Sequence, residues 1–168
     1  MAPQDHVTRT FLFTDIARST KLVEAIGDTA WQDLIRWHDQ TLRALIAERR
    51  GEEIRHQGDG FFVSFATAAD AVDCAVAIQR RLAEHRRAQG FAPQVRIGMH
   101  TTEALRRGLD YAGLGIHEAG IGGVAGADEI LVSTATLEFA GKAYRSETRT
   151  VTLKDIAEPV EVASIDWR

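Results

Sequence analysis

Hydrophobic positions along the chain change period several times, and each change marks an element. Residues 8–16 (TRTFLFTDI) form an apolar, β-prone run, the pattern of a buried strand. Ser19 or Thr20 is placed to cap a helix that follows it. Trp31, Leu34, Ile35, His38, Leu42, Leu45 and Ile46 then recur at steps of three and four. That is one face of an amphipathic helix running to about Arg50 and stopped by Gly51. Residues 53–56 and 61–65 are strand segments around the turn word Gly58-Asp59-Gly60, so a β-hairpin is expected. Residues 68–89 predict a second long helix, with Ala68, Val72, Ala75, Val76, Ile78 and Leu82 on or near its inner face. Residues 95–100 (VRIGMH) alternate as a strand, 130–132 predict another, and 134–140 a short helix. Residues 148–153 and 160–166 predict a closing pair of strands. Strands interleaved with two long helices predict an α+β fold, a mostly antiparallel sheet with helices packed on one face.

Composition narrows the class without changing that picture. The 168 residues carry 20 Lys and Arg against 24 Asp and Glu, a net charge of −4. With 45% hydrophobic and 26% charged residues, the chain has the balance of a folded domain. It is neither intrinsically disordered nor a strongly basic nucleic-acid binder. Three prolines and no biased stretch leave no linker or repeat. A single domain is expected over residues 8–168, with a short tail over residues 1–7. No apolar run approaches the ~18–20 residues of a membrane helix. The N-terminus lacks the basic and apolar regions of a signal peptide. The single cysteine, Cys74, excludes an intramolecular disulfide and a thiolate zinc site. No membrane segment and a cytoplasmic location are the expectations.

Two acids stand out. Asp15 ends the first apolar strand, and Asp59 sits in the glycine-flanked turn. If their strands are neighbours, the carboxylates converge. Such pairs suit Mg²⁺, which takes one or two carboxylates and completes its shell with water and phosphate oxygens. Two ions held this way activate an attacking oxygen and stabilise a leaving one. Taken singly, each acid has a plainer reading: Asp in such a turn is commonly a turn residue, and Asp shortly before Ser-Thr is a helix-entry feature.

The surrounding words decide between these readings. FTDIARST (13–20), RHQGDGF (55–61), VRIGMHTTEA (95–104), DYAGLGIHEAG (110–120) and DEILVS (128–133) occur in that order, followed by LKDIAEPVEV (153–162). Together they resemble the catalytic domain of class III nucleotidyl cyclases, the adenylyl and guanylyl cyclases, over nearly the whole chain. The resemblance implies a ferredoxin-like cyclase homology domain working as a head-to-tail dimer, with each site at the dimer interface. It implies conversion of ATP, less readily GTP, to the 3′,5′-cyclic monophosphate and pyrophosphate, assisted by two Mg²⁺ or Mn²⁺ ions, in a signalling role. Asp15 and Asp59 match the metal-binding aspartates, and Ile16 would lend its backbone carbonyl to an ion. Asp110 matches the acid that accepts from the adenine amino group. Arg55 stands where the family has a purine-selecting lysine, and Lys154 matches a phosphate-contacting lysine whose plainer reading is a surface lysine.

The chain departs from the family where the transition state is held. His117 aligns with the asparagine that positions the ribose, and keeps one hydrogen-bond donor. The arginine four residues later is absent: Ile121 takes its place, or an equally good alignment deletes it. Arginine in such a role is worth ~10³–10⁵ in rate. Arg96, Arg106 and Arg107 are the nearby arginines that would have to substitute. Thr102 replaces a glycine of the family's strand-end word. His100, Cys74, the Trp31/Trp37 pair and the cluster around Arg80, Arg81, His85, Arg86 and Arg87 read as packing or a solvated helix face. Two functions follow. One is an adenylate cyclase of weak or conditional activity, a homodimer or half of a heterodimer. The other is a degenerate homologue that binds nucleotide and metal, or only dimerises, as a regulatory module.

Overall fold

A computed structural model describes residues 5–107, 110–112, 120–141, 144–153 and 156–168. The elements run β1 (Asp5–Ile16), α1 (Ser19–Ile26), α2 (Asp28–Glu48), β2 (Glu52–Gln57), β3 (Gly60–Phe65) and α3 (Ala68–Gln89). They continue with β4 (Val95–Arg107), β5 (Asp110–Ala112), β6 (Ile130–Ser133), α4 (Thr134–Ala140), β7 (Ser146–Val151) and β8 (Val160–Ile165). The strands form one sheet in the order β2-β3-β1-β4-β6-β8-β7, with β5 paired to β4. The first four strands, β2-β3-β1-β4, are antiparallel throughout, and the crossovers through α2 and α3 give them the ferredoxin-like pattern. β4 and β6 pair in parallel, so the sheet is mixed. The expected α+β class, with helices packed on the sheet, is the observed one.

Alternation along the central strands gives the sheet two different faces. Leu12, Ile16, Phe61, Val63, Val95, Ile97 and Met99 point to one side and meet α2 and α3, where Leu42, Ile46, Ile78 and Leu82 complete the main core. Phe11, Phe13 and Phe62 point to the other side, which among the described residues carries no long helix, and form a small cluster with Tyr111 and Ala104. Cys74 is fully buried in the main core, and burial pushes its thiol up to about 12. Trp31 and Trp37 pack against that core, as expected.

Several boundaries differ from the sequence reading, each for a physical reason. The region after β1 forms two helices, because the chain turns at Gly27 with φ 85, a value that glycine adopts without strain. Neither Ser19 nor Thr20 caps α1; the cap position is Arg18, in the left-handed conformation and without a side-chain cap bond. β1 starts at Asp5 and β4 extends to Arg107, because twelve residue pairs join them from Ile16↔Val95 out to Asp5↔Arg106. β5, which the sequence reading did not contain, pairs with the end of that extension. A single 3₁₀ turn over residues 120–124 crosses the open face. It fits there because residue 98 is glycine: a methyl group built on Gly98 would lie 2.0 Å from the Gly122 backbone nitrogen. Among the described residues, no helix is long and apolar enough to cross a membrane.

Candidate active site

Asp15 and Asp59 come together at one end of the open face. Asp15 is the penultimate residue of β1, beside its pairing partner Arg96 on β4. Asp59 occupies the turn between β2 and β3, and β3 lies against β1 with Thr14 opposite Phe61. The Phe61 amide donates to Thr14 Oγ1 at 3.3 Å, which ties the hairpin to β1. A methyl group built on Gly60 would sit 2.9 Å from the Thr14 carbonyl oxygen and 3.9 Å from Asp15 Cβ. The hairpin turn therefore rests directly on the Asp15 segment, and only a residue without a side chain fits at position 60.

Arg96 is the principal partner of this acid. Its Nε donates to Asp15 Oδ1 and its Nη2 to Oδ2, both at 2.7 Å, a bidentate pair that engages both carboxylate oxygens. The pair is open to solvent at the level of about a third: Arg96 is 31% exposed and Asp15 38%. The bond to Asp15 raises the Arg96 guanidinium above the ordinary arginine value, and the Asp59 charge adds to it. The sequence reading named Arg96 only as one nearby arginine. Period-two alternation of VRIGMH places it on the face opposite Val95 and Ile97, a signal that becomes usable once β4 is known to pair with β1.

The donor set fits a hard divalent ion. Two carboxylates, Asp15 and Asp59, stand at one end of the sheet, next to the strand end at Ile16. Among the described residues no group of three or more His, Cys, Asp or Glu gathers to hold a metal alone. Such a site leaves coordination positions for water and phosphate oxygens, the preference of Mg²⁺. The Ile16 side chain itself is buried in the core, so any contribution to a metal would come from its backbone.

The remaining predicted positions are spread out. Arg55 on β2 lies over the Phe62 ring, 4.9 Å from its centroid. With Phe13, Thr14, Gln57, Gly60 and Phe61 these two line a cavity of about 190 Å³ beside the acids. The backbone of Asp110 pairs with Arg107, at the far end of β4 from Arg96. That is eleven residues along the strand, roughly 35 Å at 3.3 Å per residue. One chain does not bring Asp110 to Asp15. Ile121 is fully buried in an apolar cluster with Ala125, Leu131, Leu153 and Val162. Its side chain belongs to that cluster and reaches no polar site. His117 and Lys154 lie outside the described residues.

Behind the hairpin the sequence reading missed a polar network. His38, read there as part of a core helix face, is fully buried, and its Nδ1 lies 2.8 Å from Asp39 Oδ1. His56 Nε2 is 3.3 Å from the same oxygen, and its ring stacks on Phe61. Burial holds His38 below the ordinary histidine value, so it is neutral at pH 7, although Asp39 and the nearby Asp59 charge pull the other way. The arginine cluster of α3 is structural in part: Arg80 Nε donates to the Trp167 carbonyl at 2.8 Å, and Arg86 pairs with Asp128 at 3.6 Å. His100 is buried in the middle of β4, 2.7 Å from Ser133 Oγ, a satisfied core histidine.

The fold is an α+β sheet with two acids at one strand end beside an open face, and comparison with known proteins identifies its family. Residues 1–110 match the family model described as the adenylate and guanylate cyclase catalytic domain. The chain belongs to this family. An uncharacterized protein of Mycobacterium tuberculosis (strain ATCC 25618 / H37Rv) is 31% identical over 133 residues, covering 77% of this chain and 44% of that protein. The adenylate cyclase of Podospora anserina is 37% identical over 71 residues, 42% of this chain and 3% of that protein. The chain thus spans less than half the length of these curated relatives. In structure, the adenylyl cyclase CyaB from P. aeruginosa superposes with a TM-score of 0.86 at 21% identity, over 98% of this chain and 96% of that one. That likeness establishes the cyclase fold.

Proposed function

We propose that this chain is an adenylate cyclase domain that converts ATP to 3′,5′-cyclic AMP and pyrophosphate at a site shared between two copies. The observation that carries the reading is the convergence of Asp15 and Asp59 at the open end of β1. In this reading the two carboxylates and the Ile16 carbonyl would hold two Mg²⁺ or Mn²⁺ ions, which would activate the ribose 3′-hydroxyl and neutralise charge on the phosphates. The 3′-oxygen bonds to the α-phosphorus, the bond from that phosphorus to the bridging oxygen breaks, and pyrophosphate leaves with the electron pair. The hydroxyl proton passes to solvent.

The chain's own residues divide the remaining work. Arg55 meets a purine ring nitrogen beside Phe62, and Asp110 accepts from the adenine amino group. Asp110 lies too far along β4 to serve the acids of its own chain, which supports a partner supplying the base-reading half. A homodimer satisfies this, and so does a heterodimer with another cyclase chain. In the family alignment His117 takes the ribose-positioning role and Lys154 the phosphate-contacting one. ATP is preferred over GTP because an aspartate at position 110 would face an acceptor on guanine.

Incubating the protein with ATP or GTP and Mn²⁺, and quantifying cyclic nucleotide by mass spectrometry, tests the reading. Cyclic AMP is expected, reduced at least a hundredfold in Asp15→Ala and in Asp59→Ala. Activity retained in both variants would overturn the site. The burial of Ile121 favours the second reading, a homologue that binds nucleotide without turnover, because the family arginine has no equivalent at that position. Metal-dependent ATP binding by calorimetry without product would select it.

A further inference from the structure

The Asp15–Arg96 pair has a bearing on how the site loads. Both oxygens of one of the two converging carboxylates are committed to a single guanidinium, in the planar fork geometry that arginine offers and lysine does not. Asp15 and Arg96 are direct neighbours across the β1–β4 ladder, so no loop has to order for the pair to form. The Asp59 charge also acts on Arg96, adding to the hold of Asp15, its direct partner. A divalent ion and Arg96 compete for Asp15: the fork takes one lone pair on each oxygen and sets a positive charge beside them.

We propose that Arg96 is the resident cation of the acidic pair: it closes Asp15 to free divalent metal until a polyphosphate anion draws the guanidinium away, so that metal and nucleotide load together. The proposal rests on the two-carboxylate reading above. Free metal alone must displace an arginine with no new partner to offer it. A polyphosphate supplies that partner, since its oxygens match the guanidinium fork as a carboxylate does. With about a third of each side chain exposed, the pair exchanges readily with solvent, so the block is thermodynamic competition rather than a permanent seal. Arg96 acts here as a positioning residue. Its effect falls on the order and coupling of binding.

The test measures Mn²⁺ binding by the electron paramagnetic resonance signal of the free ion, with no turnover. The wild type, Arg96→Gln and Arg96→Lys are compared, first with Mn²⁺ alone and then with 3′-deoxy-ATP, which lacks the attacking hydroxyl. Arg96→Gln is expected to bind Mn²⁺ alone about fivefold more tightly than the wild type. The gain in Mn²⁺ affinity on adding the nucleotide is expected to shrink by a similar factor, and Arg96→Lys to fall between, keeping the charge but losing the fork. A simple structural role for Arg96 would weaken Mn²⁺ binding in both variants. Unchanged or weaker Mn²⁺ affinity in Arg96→Gln, with Asp15→Asn still abolishing binding, overturns the resident cation alone and leaves the metal site standing. No Mn²⁺ binding by any protein, even with nucleotide, overturns both.

Discussion

Among the described residues, Glu129 gathers a dense set of polar bonds outside the site. It takes the Gly126 amide at 2.9 Å, both terminal nitrogens of Arg149 at 2.8 and 2.9 Å, and Ser164 Oγ at 2.9 Å. These bonds fasten the chain entering β6 to β7 and β8. The Arg149 bond is the main cause holding the Glu129 carboxyl at about 2, against burial, which would raise it. A depressed carboxyl stabilises the fold above its unfolded value of 4.5, and that contribution drains away as pH falls from 4.5 toward 2. Because Arg149 is 43% exposed, solvent screening trims the contribution to about 2 kcal/mol. Glu129→Gln is therefore expected to cost about 2 kcal/mol in urea unfolding at pH 7, and much less at pH 3. An equal cost at both pH values would contradict the assignment.

Among the elements, β4 does the most to build the site. It presents Arg96 to Asp15, lets the 120–124 turn cross at Gly98, and carries β5 at its far end. Gly98→Ala drives a methyl group into the Gly122 backbone, which cannot swing aside as a side chain would. The expected cost is about 3 kcal/mol or a failure to fold, read as the urea midpoint or soluble yield. A loss under about 1 kcal/mol would mean that the turn does not seat there. Much of this strand was legible in the sequence: VRIGMH alternates, and its first half lies where the pattern put it. The second half was not, because TTEALRR has no alternation and forms a strand only through its partners Asp5–Thr10. The same division holds for the site. Asp15 and Asp59 were legible because turn chemistry and a recognisable word fix them locally. The Asp15–Arg96 pair, the His38–Asp39–His56 network and the burial of Ile121 depend on which strands become neighbours. Local pattern does not encode that.

For the whole molecule, the decisive distance is the length of β4. The acids stand at one end and Asp110 at the other, so a complete site in the proposed reading needs two chains arranged head to tail. Specific cyclase activity is then expected to rise with protein concentration and to level off once dimers saturate. A specific activity constant over a hundredfold dilution down to nanomolar protein, with sedimentation showing monomers throughout, would mean that one chain suffices.

The two-faced sheet also decides what light can report. Trp31, Trp37 and Trp167 all belong with the helix-side core, and Trp37 is stacked 4.0 Å from the His85 ring. None stands on the face that carries Asp15 and Phe13. Intrinsic tryptophan emission will follow unfolding while staying nearly silent when nucleotide arrives. Observing arrival by fluorescence calls for an indole placed on the other side of the sheet, and Phe13→Trp, facing the cavity beside Arg55, is the position the architecture offers.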